Sequence, residues 1–156
     1  MNTQMSDATM FSVYPIGIVH LSGEGTRLEI DLPYRQALHG LEHFSHVMVL
    51  WWAHGHDNEH SRAMLQTRPP YASGHTMGVF ATRAEYRPNP IAVTTCKLLY
   101  VDEESGIVQV ADIDALDGTP LLDLKAYFPV CDRVREAHIP EWLSGWPEWM
   151  PEDGLS

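Results

Sequence analysis

Turn signals come at short intervals along this chain, and that spacing most constrains its fold. "SGEG" (22–25), "ESG" (104–106) and "DG" (117–118) each interrupt runs rich in apolar and β-branched residues. "YPIGIVHL" (14–21) and "RLEIDL" (27–32) flank the first as a hairpin, closed by Pro33. "SHVMVLWW" (45–52) is an uninterrupted apolar run of strand length and predicts a strand buried on both faces. Further strands are expected at 77–83, 91–104, 106–114 and 119–129. One patch, "YRQALHGLEHF" (34–44), has helical spacing and is cut by Gly40. Residues 53–76 are polar and broken by Pro69-Pro70, so they read as a long loop. Five or six strands with little helix predict a mainly β fold. It is a small, mostly antiparallel barrel or sandwich with short helices and irregular loops.

At 156 residues one domain is the default, and 44% apolar content suffices for a core. Residues 1–12 read as a flexible leader and 13–135 as the domain. Residues 136–156 form a Trp- and Pro-rich tail holding Trp142, Trp146 and Trp149. The tail has too many prolines for a regular helix, so its indoles should pack on the domain or on a partner. The formal charge of −11 argues against broad contact with nucleic acid, though not against a local basic site. With no secretion signal and no stretch of membrane-span length, the expected location is the cytoplasm and no membrane contact is expected. Cys96 and Cys131 then read as reduced thiols.

Several motifs fail on inspection. "GEG" (23–25) is followed by alternating residues rather than a helix, which excludes a Rossmann-type nucleotide loop. "HGHDNEH" offers His54, His56 and His60 as metal ligands, but Asp57 follows His56 directly and breaks the metallohydrolase register. The reading taken is a solvated loop and no metal. "DIDALDG" (112–118) has one residue too many between Asp114 and Asp117 for a calcium loop; Asp117-Gly118 reads as a tight turn.

"GVFATRAEYRPNPIAV" (78–93) is harder to dismiss. On an extended chain Arg83 and Arg87 would share a face, and each proline extends the residue before it. The pair is either a stiff fork for a carboxylate or phosphate, or a turn with two surface arginines.

"GLEHFSHVMVLWWAH" (40–54), "RPP" (68–70), "GVFATRAEYRPNPIAV" and "DALDGTPLLDLKAY" (114–127) occur in that order. Together they closely resemble the TsaA/TrmO-type (YaeB-like) family over roughly residues 14–130. The resemblance implies a compact, usually dimeric β-barrel that binds S-adenosylmethionine without a Rossmann unit. It also implies methylation of the 6-amino nitrogen of a threonylcarbamoyl-adenosine next to the tRNA anticodon. Carried over by motif, the cofactor residues are Ala53, His54, Arg83, Ile113, Asp114 and Leu116, with Asn89, Pro90 and Ile91 added from the "RPNPI" turn. Asp123 and Lys125 would be near neighbours. Candidates to accept the proton of the amine are His46, Asp117 and Asp123, left unranked. The chain departs from the family where a Pro-Arg-Gln segment is replaced by "SGEGTR", where "RPNPIG" is "RPNPIA", and where "DIKPY" is "DLKAY". It also lacks the motifs of the tRNA-acting members' C-terminal region, which weakens the expectation of tRNA as partner. The rival readings are a cofactor-binding sensor module and a histidine-loop metalloenzyme.

Overall fold

A computed structural model describes residues 9–152, so most of the expected leader (1–8) and the end of the tail (153–156) lie outside the described residues. Among the described residues there are eight strands: β1 (Gly17–Ser22), β2 (Gly25–Ile30), β3 (His46–Trp52), β4 (Gln66–Thr67), β5 (Met77–Gly78), β6 (Ile91–Asp102), β7 (Ile107–Val110) and β8 (Pro120–Ala126). Six of them close an antiparallel barrel in the order β1-β2-β7-β6-β3-β8; β4 and β5 form a separate two-stranded ribbon. The seam between β1 and β8 is short, pairing Gly17 with Leu121 and Ile18 with Pro120. Val19 N–H donating to Thr119 O at 2.9 Å and Gly118 N–H donating to Val19 O at 2.8 Å extend it.

The expected hairpin forms, with Gly17 opposite Ile30 and Ser22 opposite Gly25. Gly17 is required by crowding: a Cβ there would overlap the backbone carbonyl of Glu29. The apolar run of β3 is a correction. Val47, Val49 and Trp51 are buried while His46, Met48, Leu50 and Trp52 are only half-buried. Cross-strand register explains this. Val47, Val49 and Trp51 pair with Cys96, Thr94 and Ala92 of β6, so each set turns the same way, into the barrel. Val19, Leu28, Ile30, Val108, Val110 and Leu121 complete the interior. Each large aliphatic side chain buried there contributes about 1.5–3 kcal/mol.

Other expectations change in kind. The 34–44 patch is two 3-10 turns, Leu32–Leu38 and Leu41–His43, separated by Gly40 in the left-handed region at φ 88°. Pro33 opens the first of them. The strand expected over 77–83 stops at Gly78, and Val79–Ala81 forms a 3-10 turn. The strand expected over 106–114 ends at Val110; Ala111 N–H makes one more ladder bond, to Lys97 O at 3.0 Å, before the chain leaves β6. The 53–76 loop carries a 3-10 turn at His54–His56, a one-turn helix α1 (Glu59–Arg62) and β4. In the tail, Trp142 stacks on His75 at 4.9 Å between centroids and Trp146 meets Tyr71 edge-on at 5.2 Å. These indoles pack on the domain, against the loop between β4 and β5.

Candidate functional site

Three loops gather where β3 ends and β6 begins. The first follows β3 (53–62), the second precedes β6 (82–90), and the third joins β7 to β8 (111–119). Ala53 N–H donates to Pro90 O at 2.8 Å, tying the first two together one residue beyond the Trp52–Ile91 pair. The third enters through Thr94. The Trp51 indole N–H donates to the Thr94 hydroxyl at 3.0 Å, and that hydroxyl donates to Asp114 Oδ1. An indole nitrogen only donates, so the threonine proton is free to point at the carboxylate. Ile113 and Ala115 on either side are buried, which anchors the loop while Asp114 and Leu116 face outward.

The first loop is shaped by its own side chains. Asn58 caps α1 by accepting from Ser61 N–H at 2.8 Å. Arg62, on the last position of α1, then reaches across to the second loop. Its Nε donates to Pro88 O at 2.9 Å and its Nη2 to Asn89 Oδ1 at 3.1 Å. Its Nη1 donates to Asp57 Oδ1 at 3.1 Å, and its guanidinium lies 5.9 Å from the Trp52 ring centroid. Asp57 Oδ2 accepts from the Trp52 indole at 3.2 Å. A second bridge runs through His56, whose Nε2 lies 3.3 Å from Glu85 Oε2 and whose Nδ1 is 3.2 Å from Ser61 Oγ.

Of the two arginines in the "ATRAEYRPNP" stretch, Arg87 is a brace. It donates to Thr82 O at 3.2 Å and Ala84 O at 2.9 Å, holding a bend rather than an extended strand. Arg83 is exposed and makes no ion pair or side-chain hydrogen bond among the described residues. The two do not form a matched fork; one guanidinium is spent on backbone.

The cofactor residues implied by resemblance therefore gather as follows. Ala53, His54, Asn89, Pro90 and Ile91 meet at the end of β3, and Asp114 joins them through Thr94, with Ile113 and Leu116 beside it. Arg83 stands in the second loop. The catalytic candidates disperse. Asp117 belongs to the third loop, where its Oδ1 accepts from Leu21 N–H at 2.8 Å. His46 opens β3, seven residues before Ala53 and therefore roughly 20 Å away along the strand. There it contacts Ser45 Oγ at 2.8 Å and lines a cavity of about 260 Å³ with Lys97, Asp112 and Met150. Asp123 lies beside Leu50 on the outer wall. Its Oδ2 is 3.2 Å from Lys125 Nζ and its Oδ1 accepts from Leu124 N–H at 2.9 Å. His54, His56 and His60 do not converge: among the described residues no three His, Cys, Asp or Glu side chains come together as metal ligands.

The buried thiol of Cys96 lies on the inner wall below Thr94. Burial, with the Asp114 and Asp112 carboxylates nearby, pushes it up to about 12, so it stays protonated at neutral pH. Arg62, Thr94 and the His56–Glu85 bridge were not anticipated from sequence. Arg62 lies in a stretch that reads as polar loop, His56 is weighed there only as a metal ligand, and Thr94 lies in a β-branched strand.

Residues 11–133 match the family model described as the tRNA-methyltransferase O N-terminal domain. A Pyrococcus abyssi protein named "Probable S-adenosyl-L-methionine-binding protein" is 39% identical over 120 residues, covering 77% of this chain and 60% of that one. The Escherichia coli tRNA (adenine(37)-N6)-methyltransferase is 38% identical over 115 residues, covering 70% and 48%. A crystal structure of TrmO superposes with a TM-score of 0.66 at 34% identity, over 84% of this chain and 64% of that one. This chain thus spans between about half and two thirds of the length of these relatives. The chain belongs to the family of the tRNA-methyltransferase O N-terminal domain.

Proposed function

We propose that the barrel end built by Ala53–Arg62, Thr82–Pro90 and Ala111–Thr119 binds S-adenosylmethionine and directs its methyl group to the 6-amino nitrogen of an adenosine in tRNA. The threonylcarbamoyl-adenosine next to the anticodon is the expected acceptor. The observation that carries this reading is the convergence of site residues from three separate loops in a chain of this family. The side chains suit such a cosubstrate. Arg83 offers an exposed cation for a carboxylate. Asp114 keeps one carboxylate oxygen outside its Thr94 bond, for a hydroxyl or ammonium. Ile91 and Leu116 present exposed apolar surface for a base.

When bound, the cosubstrate supplies a sulfonium methyl: the sulfur–carbon bond breaks, a nitrogen–carbon bond forms and a thioether leaves. The chain's task is alignment and exclusion of water. The amine must shed one proton. Asp117 is the candidate acceptor that belongs to a loop at this end, with Oδ2 outside its bond to Leu21. Its assignment as the base is part of the proposal. The working unit is a homodimer in the cytoplasm. Exposed Leu99 and Tyr100 on the barrel wall support the dimer, and the tRNA-acting Escherichia coli relative supports the location. A light-scattering mass of one chain would remove the dimer.

Calorimetric titration of S-adenosylmethionine into wild type and Arg83→Ala tests the cosubstrate: binding in the first and its loss in the second is expected. Turnover on tRNA lacking only the final methyl separates an enzyme from a binding module. The Asp117→Asn variant should bind the cosubstrate normally and turn over slowly.

A further inference from the structure

The amide of Asn89 is oriented by Arg62, and the orientation has chemical content. A guanidinium carries donors and no acceptor. At 3.1 Å from Nη2, the atom of Asn89 facing Arg62 must be its oxygen. The Nδ2 group then points away from Arg62, and among the described residues it donates no hydrogen bond. Arg62 is itself held on three other sides: Pro88 O, the Asp57 carboxylate and the Trp52 ring. It is fixed by groups from both loops and cannot easily swing away. Asn89 sits between Pro88 and Pro90, which restrict its backbone as well.

From this we infer that Arg62 is a positioning residue. It holds Asn89 as a hydrogen-bond donor toward an oxygen acceptor of the cosubstrate, opposite in polarity to Asp114, which Thr94 holds as an acceptor. The inference rests on the cosubstrate reading above. It adds a residue that touches no ligand and assigns a polarity that sequence cannot supply.

The decisive variant is Asn89→Asp. An aspartate keeps an oxygen to meet Arg62, with a stronger charge-assisted bond, and replaces the outward donor by a charged acceptor. The expected result is a melting temperature equal to or above wild type and affinity for S-adenosylmethionine weaker by about tenfold or more, the worth of one hydrogen bond to a charged or polar oxygen. Arg62→Ala should weaken binding by about three- to tenfold, because the amide can then turn over. Arg62→Lys should not rescue it, since one ammonium cannot meet Pro88 O, Asn89 Oδ1 and Asp57 together. Combined with Asn89→Asp, Arg62→Ala should add little further loss. Unchanged affinity in Asn89→Asp, or full rescue by Arg62→Lys, overturns the inference while wild-type binding leaves the cosubstrate reading standing. If wild type does not bind, that reading falls, and the Asn89 side-chain amide signals still decide the orientation. Signals that shift in Arg62→Ala support a fixed amide, and signals that do not move overturn it.

Discussion

Within β3, burial alternates: Val47, Val49 and Trp51 point inward and the residues between them do not. In the ten residues that follow Trp52, only Ala53 and Ser61 are buried. Yet both segments are well defined. The wall is held by apolar area and a ladder of backbone bonds. The loop end is held by single side chains that each satisfy several polar groups: Arg62 between two loops, Asn58 on α1, Thr94 between Trp51 and Asp114. Apolar burial is non-directional and tolerates small shifts, whereas a bridging guanidinium or hydroxyl specifies direction. A site that must present a donor here and an acceptor there is better built from the second kind of contact.

The comparison breaks most severely in the wall. Leu28 is fully buried at the barrel centre, and Leu28→Ala should cost about 2–5 kcal/mol in denaturant unfolding. A loss below that range would mean the interior is less tightly packed than its burial indicates. Thr94→Val tests the joint between wall and loop. It preserves shape but strands the Trp51 indole N–H, and should cost about 1–3 kcal/mol while freeing Asp114. Unaltered stability together with unaltered cosubstrate affinity would show that the relay carries neither role. On the loop side, Asn58→Ala removes one helix cap from an exposed turn, so about 1 kcal/mol is expected by the same unfolding measurement. A larger loss would mean that the first loop folds cooperatively with the wall.

A smaller contrast lies in the thiols. Cys131 is exposed and Cys96 is buried with its thiol pushed up to about 12. An aromatic disulfide reagent should therefore titrate one thiol in native protein and both in denaturant. Rapid labelling of two would show that the wall opens near Cys96.

The least effect is expected at His39, which is exposed and hydrogen-bonded to Glu103 at 2.9 Å. That bond, aided by the charge of Glu103, raises the imidazole above its usual 6.5. The folded state thus binds this proton more tightly than the unfolded one. The contribution is complete below 6.5 and disappears as pH climbs through the raised value. Proton NMR titration should show the raised value in wild type and an ordinary one in Glu103→Gln. Equal titrations in the two proteins would remove the pair as a cause.

The same contrast explains what could be read from sequence. The hairpin at "SGEG", the mostly antiparallel β class and the breaks at Gly40 and Asp117-Gly118 follow from alternation and turn chemistry, which are local; closure into a barrel rather than a sandwich does not. The apolar Met48, Leu50 and Trp52 make β3 read as buried on both faces, although only one face is. The "FATR" stretch reads as a strand because its 3-10 turn has no distinctive residue. The grouping of Ala53, Asn89 and Asp114 was legible only through family resemblance, since no periodicity joins them.

By itself, then, the sequence determined the class of fold, because side chains alternating between turn signals leave an antiparallel wall as the way to bury the apolar set. Tertiary structure alone decided the roles of the polar residues. Arg87 and Arg83 are chemically identical, yet one is consumed by Thr82 O and Ala84 O and the other is left exposed. Arg62 meets Pro88 and Asn89 across 26 and 27 residues of chain. Contacts at such separations depend on where two loops come to rest, and only closure of the barrel sets that.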